Sequence, residues 1–222
     1  MKLLAIDTSS SYLSLALQLE GEQYAFHQEM GQRHAERTLP EIEVLLRAAG
    51  AQLKDLDAIV FGQGPGSFTG LRIACGLAQG LAFSAGLPVI GIPTLDAVAH
   101  QAGAERILVC LDARMKQVYS AAYQTGSTWQ RLGAISLQDP EEVQLPDGIT
   151  AVAGDGFTHY PALLAAQRKD LQQIEVLRAD ARSHIALAQT GRYPAVPPQA
   201  AELLYIRNKV ALTTIEQQAL KG

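Results

Sequence analysis

"LLAIDTSSSYLSLAL", Leu3 to Leu17, and "ILVCLDARMKQVYSAAY", Ile107 to Tyr123, follow one plan. Each opens on an apolar run that ends in an aspartate, Asp7 or Asp112, turns through a short polar segment, and continues as an alternating strand. A strand buried on both faces reads as an unbroken apolar run, and a half-buried one alternates with period two. In the first copy Leu13, Leu15 and Leu17 share a face, with Ser14 and Gln18 on the other. Gly21 then turns the chain into "QYAFHQE", which completes a three-strand meander. In the second copy "QVYSAAYQ" and "TWQRLGAI" supply the corresponding strands. The recurrence, roughly half a chain apart, predicts an α/β protein of two βββαβα lobes with a cleft between them. The second lobe is reduced, and the boundary falls between residues 1–103 and 104–222.

Between the two copies the periodicity turns helical. Ala35, Leu39, Ile42, Leu46 and Ala49 recur at spacings of three and four, so Arg33 to Ala49 is expected as a helix stopped by Gly50. Pro40 lies inside it and predicts a kink or a late start. "DAIVFG" is a buried strand over Asp57 to Phe61, Ser67 to Ala85 a second helix, "PVIGI" a further strand, and Thr94 to Ala102 a short helix. Farther on, Val152 and Ala153 are strand-like, and Tyr160 to Gln167 and Ser183 to Thr190 helical. A proline-rich link, "YPAVPP", leads to a chain end expected to be loose beyond Leu212.

The 222 residues are 48% hydrophobic and 18% charged, with a formal net charge of −4. That composition suits a globular protein with ample buried or partner-covered surface. No run of Lys or Arg occurs, which excludes an autonomous nucleic-acid footprint and leaves tRNA reachable only through a complex. Cys75 and Cys110 sit in apolar contexts and read as small buried hydrophobes of a reducing compartment. Neither a signal peptide nor a membrane span is legible, so the expectation is a cytoplasmic protein without membrane contact.

Two glycine- and hydroxyl-rich segments could carry chemistry. Asp7 with Thr8 and Ser9 could hold a phosphate and its Mg²⁺, or form a polar turn that bonds its own backbone. "GQGPGSFTG" lacks a lysine and the Walker and dinucleotide spacings. Gly64, Gly66 and Ser67 precede a helix whose free N–H groups suit an anion, yet Ser67 or Thr69 can cap those same groups. From Leu71 to Ala85 the helix carries one charge, Arg72, and is apolar or small all round. Such a helix is buried on every side. With Gly76 and Gly80 one turn apart, one side is expected on the sheet and another against a partner helix; the alternative is a core helix internal to this chain. His34 and Glu36, two residues apart on a helix, cannot clasp one ion and read as surface residues. Asp112 and Asp155 could line the cleft.

"LLAIDTSS", "DAIVFGQGPGSFTGLRIA", "RHAERTLP", "LDARMKQVY" and "YIRNK" together resemble the TsaB (YeaZ) family of bacterial accessory proteins, over Leu3 to about Lys209. The resemblance implies the actin-like, Hsp70-like and sugar-kinase-like ATPase fold. It also implies a role in making N6-threonylcarbamoyladenosine at position 37 of tRNAs reading ANN codons. Members of the family pair with the TsaD transferase, recruit the TsaE ATPase, and form homodimers when alone. TsaD carries an H-x-E-G-H metal motif. Here the matching positions read Thr94-Leu95-Asp96-Ala97-Val98, so the metal ligands are absent and a non-catalytic scaffold without a catalytic or metal site is expected. The implied contact residues are Leu39, Ile42, Leu46, Ile73, Gly76, Leu77, Gly80 and Leu81. No cofactor is firmly implied, although ATP or ADP could sit at the interface with TsaD. The competing expectation is a nucleotide-dependent ATPase or small kinase of the same fold.

Overall fold

Strands of continuous apolar sequence take the sheet centres. A computed structural model describes residues 1–126, 128–165 and 171–206. The first half runs β1 (Leu3–Asp7), β2 (Tyr12–Leu19), β3 (Glu22–Glu29), α1 (His34–Ala48), β4 (Ala58–Gly64), α2 (Phe68–Ala85), β5 (Val89–Pro93) and α3 (Thr94–Ala102). The second runs β6 (Arg106–Asp112), β7 (Val118–Gln124), β8 (Gln130–Arg131), β9 (Ser136–Gln138), β10 (Ala151–Ala153), α4 (Gly156–His159), α5 (Ala162–Ala165), β11 (Gln172–Gln173), α6 (Ala181–Gln189) and β12 (Ala195–Val196).

Both sheets repeat one order. The first is β12-β5-β4-β1-β2-β3, and the second is β11-β10-β6-β7-β8, with β9 also on β7. β1 pairs antiparallel with β2 and parallel with β4, just as β6 pairs with β7 and β10. Asp7 and Asp112 therefore end equivalent central strands, and the duplication is present at the level of topology.

Helices α3 and α6 lie between the sheets. Leu95 and Val98 of α3 and Ile185 and Leu187 of α6 share one core with Val60 and Ile107 from the two sheets. The outer face of the first sheet is covered by α1 and α2, through Ile42, Leu45, Ala74, Ala78 and Ala82. A smaller cluster around Leu108, Val152 and Phe157 closes the outer side of the second.

Several elements differ from expectation. α1 runs continuously from His34 through Pro40, without the late start. The strand expected over "TWQRLGAI" splits into β8 and β9, with Gly133 at φ 112° between them. No helix among the described residues joins β9 to β10; a single 3₁₀ turn, Pro140–Glu142, stands there. Of the helix expected over 160–167 only α5, Ala162–Ala165, forms among the described residues; α4 precedes it and was not expected, and Tyr160, the residue before Pro161, leaves the helical region at φ −128°, ψ 76°. Positions 166 and 167, like everything beyond Leu212, lie outside the described residues. The turn after Asp112 places Arg114, Met115 and Lys116 in succession at φ 62°, 54° and 59°. That conformation is costly for side-chain-bearing residues.

The chain also crosses back over the expected boundary at residue 103. α6 packs on β1, β2 and β4, and β12 extends the first sheet alongside β5. Because α6 fills the core between both sheets, the halves should unfold together. Ile185→Ala is expected to cost about 2–5 kcal/mol and to shift one cooperative transition in a denaturant melt. Two separate transitions would refute the shared core.

Candidate functional site

The turn after β1 is built inward. Asp7 is fully buried, and its Oδ1 accepts from the Ser9 N–H at 3.0 Å and the Ser9 hydroxyl at 2.8 Å. The Thr8 hydroxyl donates to the Gly70 carbonyl at 2.6 Å, and the Ser67 N–H to the Ser9 carbonyl at 2.7 Å. Ser67 also caps α2, accepting from the Gly70 N–H at 3.3 Å. The two segments interlock backbone to backbone, which is why their glycines are needed. A Cβ on Gly70 would stand 1.8 Å from the Thr8 carbonyl oxygen, and one on Gly66 2.6 Å from that of Ser9. Gly64 takes φ 106° at the end of β4.

The partner of Asp7 Oδ2 comes from the other half of the chain. His184 on α6 is fully buried, and its Nε2 lies 3.2 Å from Oδ2. The contact is an ion pair rather than an aligned hydrogen bond. His184 Nδ1 lies 3.1 Å from the Asp180 carbonyl, which can only accept, so Nδ1 carries a proton. Nε2 faces a carboxylate, which also only accepts, so the ring is an imidazolium. Burial alone would raise the Asp7 carboxyl, but His184 and Ser9 hold it below its ordinary value. Burial alone would lower His184, but Asp7 and the Asp180 carbonyl hold it above. Gly62 makes room for the pair, since a Cβ there would stand 2.1 Å from Asp7 Oδ2.

Between the halves lies a cleft of about 640 Å³. Ser9, Gly66, Ser67 and Thr94 face it from the first half, and Asp112, Asp155 and Arg178 from the second. Asp112 and Asp155, each of which could have been a turn residue only, both line it. Asp155 Oδ1 accepts the Asp112 N–H at 2.9 Å, and Asp112 Oδ1 accepts the Tyr160 hydroxyl at 3.0 Å. Burial raises the Asp155 carboxyl above its ordinary value. Phe68 and Tyr205 flank the mouth, their centroids 6.4 Å apart.

At the start of α3, the stretch set against the transferase metal motif has become a structural hub. Asp96 Oδ1 accepts from the Tyr123 hydroxyl at 2.8 Å and Arg131 Nη1 at 3.1 Å, and Oδ2 from the Tyr193 hydroxyl at 2.9 Å. Among the described residues no three His, Cys, Asp or Glu side chains come together as a metal would need.

The outer helices carry the expected contact residues on two different sides. Leu39 is exposed, and Leu46, Ile73, Leu77 and Leu81 are half-buried. No described residue comes within 4 Å of where a Cβ on Gly76 or Gly80 would stand, and Phe83 beside them is 79% exposed. Ile42 points the other way, into the sheet, at 2% exposure, and Val44 takes an outward position instead. Another side of α2 is covered by this chain's own 197–203 segment. Gln79 Nε2 donates to the Pro198 carbonyl at 3.0 Å, and Ala201 and Leu203 pack on the core beneath the helix. His34, expected at the surface, is buried with its Nε2 unpartnered among the described residues, whereas Glu36 is exposed. The helix start turns residue 34 toward the sheet and residue 36 away from it.

These features define a duplicated α/β chain whose two sheets share one strand order, with its outer helices partly uncovered by the described residues. A family model described as TsaD, tRNA N6-adenosine threonylcarbamoyltransferase, matches residues 21–171. The tRNA threonylcarbamoyladenosine biosynthesis protein TsaB of Escherichia coli (strain K12) is 37% identical, over 95% of this chain and 96% of its own length. The TsaB of Haemophilus influenzae is 34% identical over 95% of each chain. The solved structure of YeaZ from Pseudomonas aeruginosa superposes with a TM-score of 0.84 at 35% identity, covering 92% of this chain and 99% of that one. The chain belongs to the TsaB (YeaZ) family.

Removing one member of a buried ion pair strands the other charge. His184→Leu is therefore expected to cost about 3–5 kcal/mol in a denaturant melt at neutral pH. The pH profile has a fixed sign. His184 is raised, so its contribution is complete below 6.5 and fades as pH rises through its folded value; Asp7 is lowered, so its contribution is complete above 3.8 and fades as pH falls through its folded value. Melts of wild type and His184→Leu should differ most between those two values. A pH-independent difference would exclude the charged pair.

Proposed function

We propose that this chain serves tRNA threonylcarbamoyladenosine biosynthesis, the process for which its TsaB relatives are named, as a non-catalytic scaffold. In this reading it docks a TsaD-type transferase through the outer face of α1 and α2, and the pair recruits a TsaE-type ATPase. The observation that carries it is the bare side of α2. Gly76 and Gly80 lie one turn apart, with none of the described residues within 4 Å of where a Cβ would be. Leu77 and Leu81 flank them, and Phe83 stands out into solvent. Small residues at that spacing let another helix approach closely, and the surrounding apolar surface supplies the driving force. Alone, two copies would use the same face.

Further support comes from the start of α3. Asp96 is saturated by two tyrosines and an arginine, and Thr94 and Val98 stand where the transferase motif carries histidines. The second reading, a nucleotide-dependent ATPase or small kinase, draws on the cleft between the halves. It would place phosphates near Asp7, Thr8, Ser9, Gly64, Gly66 and Ser67.

Gly80→Arg puts a long charged side chain into the open space of α2. It is expected to abolish co-purification with TsaD and tRNA modification by the complex, while the melting temperature of the lone chain stays unchanged. Retained pairing would sink the interface assignment. Mg-dependent ATP turnover by the lone chain would favour the second reading.

A further inference from the structure

Ala113 to Gln117 joins β6 to β7, and at its middle Arg114, Met115 and Lys116 take φ 62°, 54° and 59° in succession. Glycine enters that region freely, and a residue with a side chain does so at a cost. The bonds that close the turn do not call for these side chains. The Ala113 N–H donates to the Gln117 carbonyl at 2.9 Å, and the Gln117 N–H to the Arg114 carbonyl at 3.0 Å. The Arg114 N–H donates to Asp112 Oδ1 at 3.0 Å. Glycines at these positions would make the same bonds with less strain. The side chains stand in solvent instead: Met115 is 73% exposed, Lys116 is exposed, and the side chain of Arg114 is 85% exposed.

The duplication supplies an internal comparison. The equivalent turn after β1, Thr8 to Ser11, is met by another loop of the chain, with the Ser67 N–H on the Ser9 carbonyl and the Thr8 hydroxyl on the Gly70 carbonyl. In the second half the matching loop after β10 meets the end of β6. There Gly154 and Gly156 lie against Cys110, and Asp155 accepts the Asp112 N–H. Beyond that point the turn presents a thioether between two cations. Arg114 reaches Asp112 at 3.4 Å, and Lys116 meets no carboxylate among the described residues. Costly backbone that displays side chains to solvent marks a contact made with another molecule. Arginine and methionine are both enriched where proteins meet, the thioether because it adapts to the surface it touches. A nucleic acid needs a longer row of cations, and the sequence has no run of Lys or Arg.

We propose that the 114–116 turn is a second docking surface, seating a protein partner that presents carboxylates around an apolar side chain. The surface belongs to the second half, apart from α1 and α2, and rests on the docking reading only for its probe proteins, TsaD and TsaE. The test joins stability to binding. Met115→Gly and Lys116→Gly should each raise the melting temperature of the lone chain by about 2 °C, because the strain is relieved. Arg114→Glu together with Lys116→Glu should weaken binding of TsaE to the chain–TsaD pair by about tenfold or more in calorimetry. Pairing with TsaD itself should be unchanged, which separates this surface from the α2 face that Gly80→Arg probes. TsaE is also titrated into the lone chain, so the turn is read even where pairing with TsaD fails. A lower melting temperature in both glycine variants would give the side chains a structural role and overturn the proposal. TsaE binding that charge reversal leaves intact, or that neither titration detects, overturns it too. So does a loss confined to tRNA binding by the complex, which would make the turn a nucleic-acid contact.

Discussion

The buried contact between Asp7 and His184 is the constraint around which the rest is arranged. A carboxylate and an imidazolium sealed from water must each be satisfied by the other and by a few fixed dipoles, because desolvation otherwise exceeds their attraction. That requirement places Ser9 beside Asp7, brings the Asp180 carbonyl to the far side of the ring, and forbids a side chain at Gly62. It also draws α6 out of the second half onto the first sheet. The position of α6 then fixes the core between the sheets and the wall of the cleft.

Duplication supplied two copies of one topology, and the copies have diverged in what their faces do. In the first, two long helices cover the outer side of the sheet and leave part of their own surface uncovered. In the second, a 3₁₀ turn and short helices replace them, and the cluster beneath is small. The start of α3, where the transferase motif carries a metal-binding set, instead ties α3 to β7, β8 and the segment after α6 through a single carboxylate. That carboxylate is thereby committed to holding the fold together.

Much of this was legible in local pattern. The strands ending in Asp7 and Asp112, the first meander, and the limits of α2 all follow from periodicity of two or 3.6 and from capping residues, which are properties of neighbours in sequence. The pairing of Asp7 with His184 was not, because nothing in the spacing of two residues so far apart signals that they meet. Nor was the return of 181–206 to the first sheet, since β12 is two residues long and carries no period. The direction of Ile42 and His34 depends on the rotation of α1 about its axis, and a stripe of apolar residues broad enough to serve two surfaces does not specify that. The left-handed turn over Arg114 to Lys116 lacks the glycine that normally marks such backbone.

The strap formed by residues 197–203 has a consequence for α2 itself. The helix packs on the sheet on one side and is tied to the strap on another through Gln79 to Pro198, while the strap is itself anchored to β4 through Gln63 to Glu202 and Leu204. Its remaining face is therefore immobilised before any second protein arrives. Association on such a face loses little conformational entropy, since the backbone has already been ordered during folding. In the proposed docking the glycines would act as a fixed notch rather than as points of give, and an incoming helix would have to match a shape that is already set.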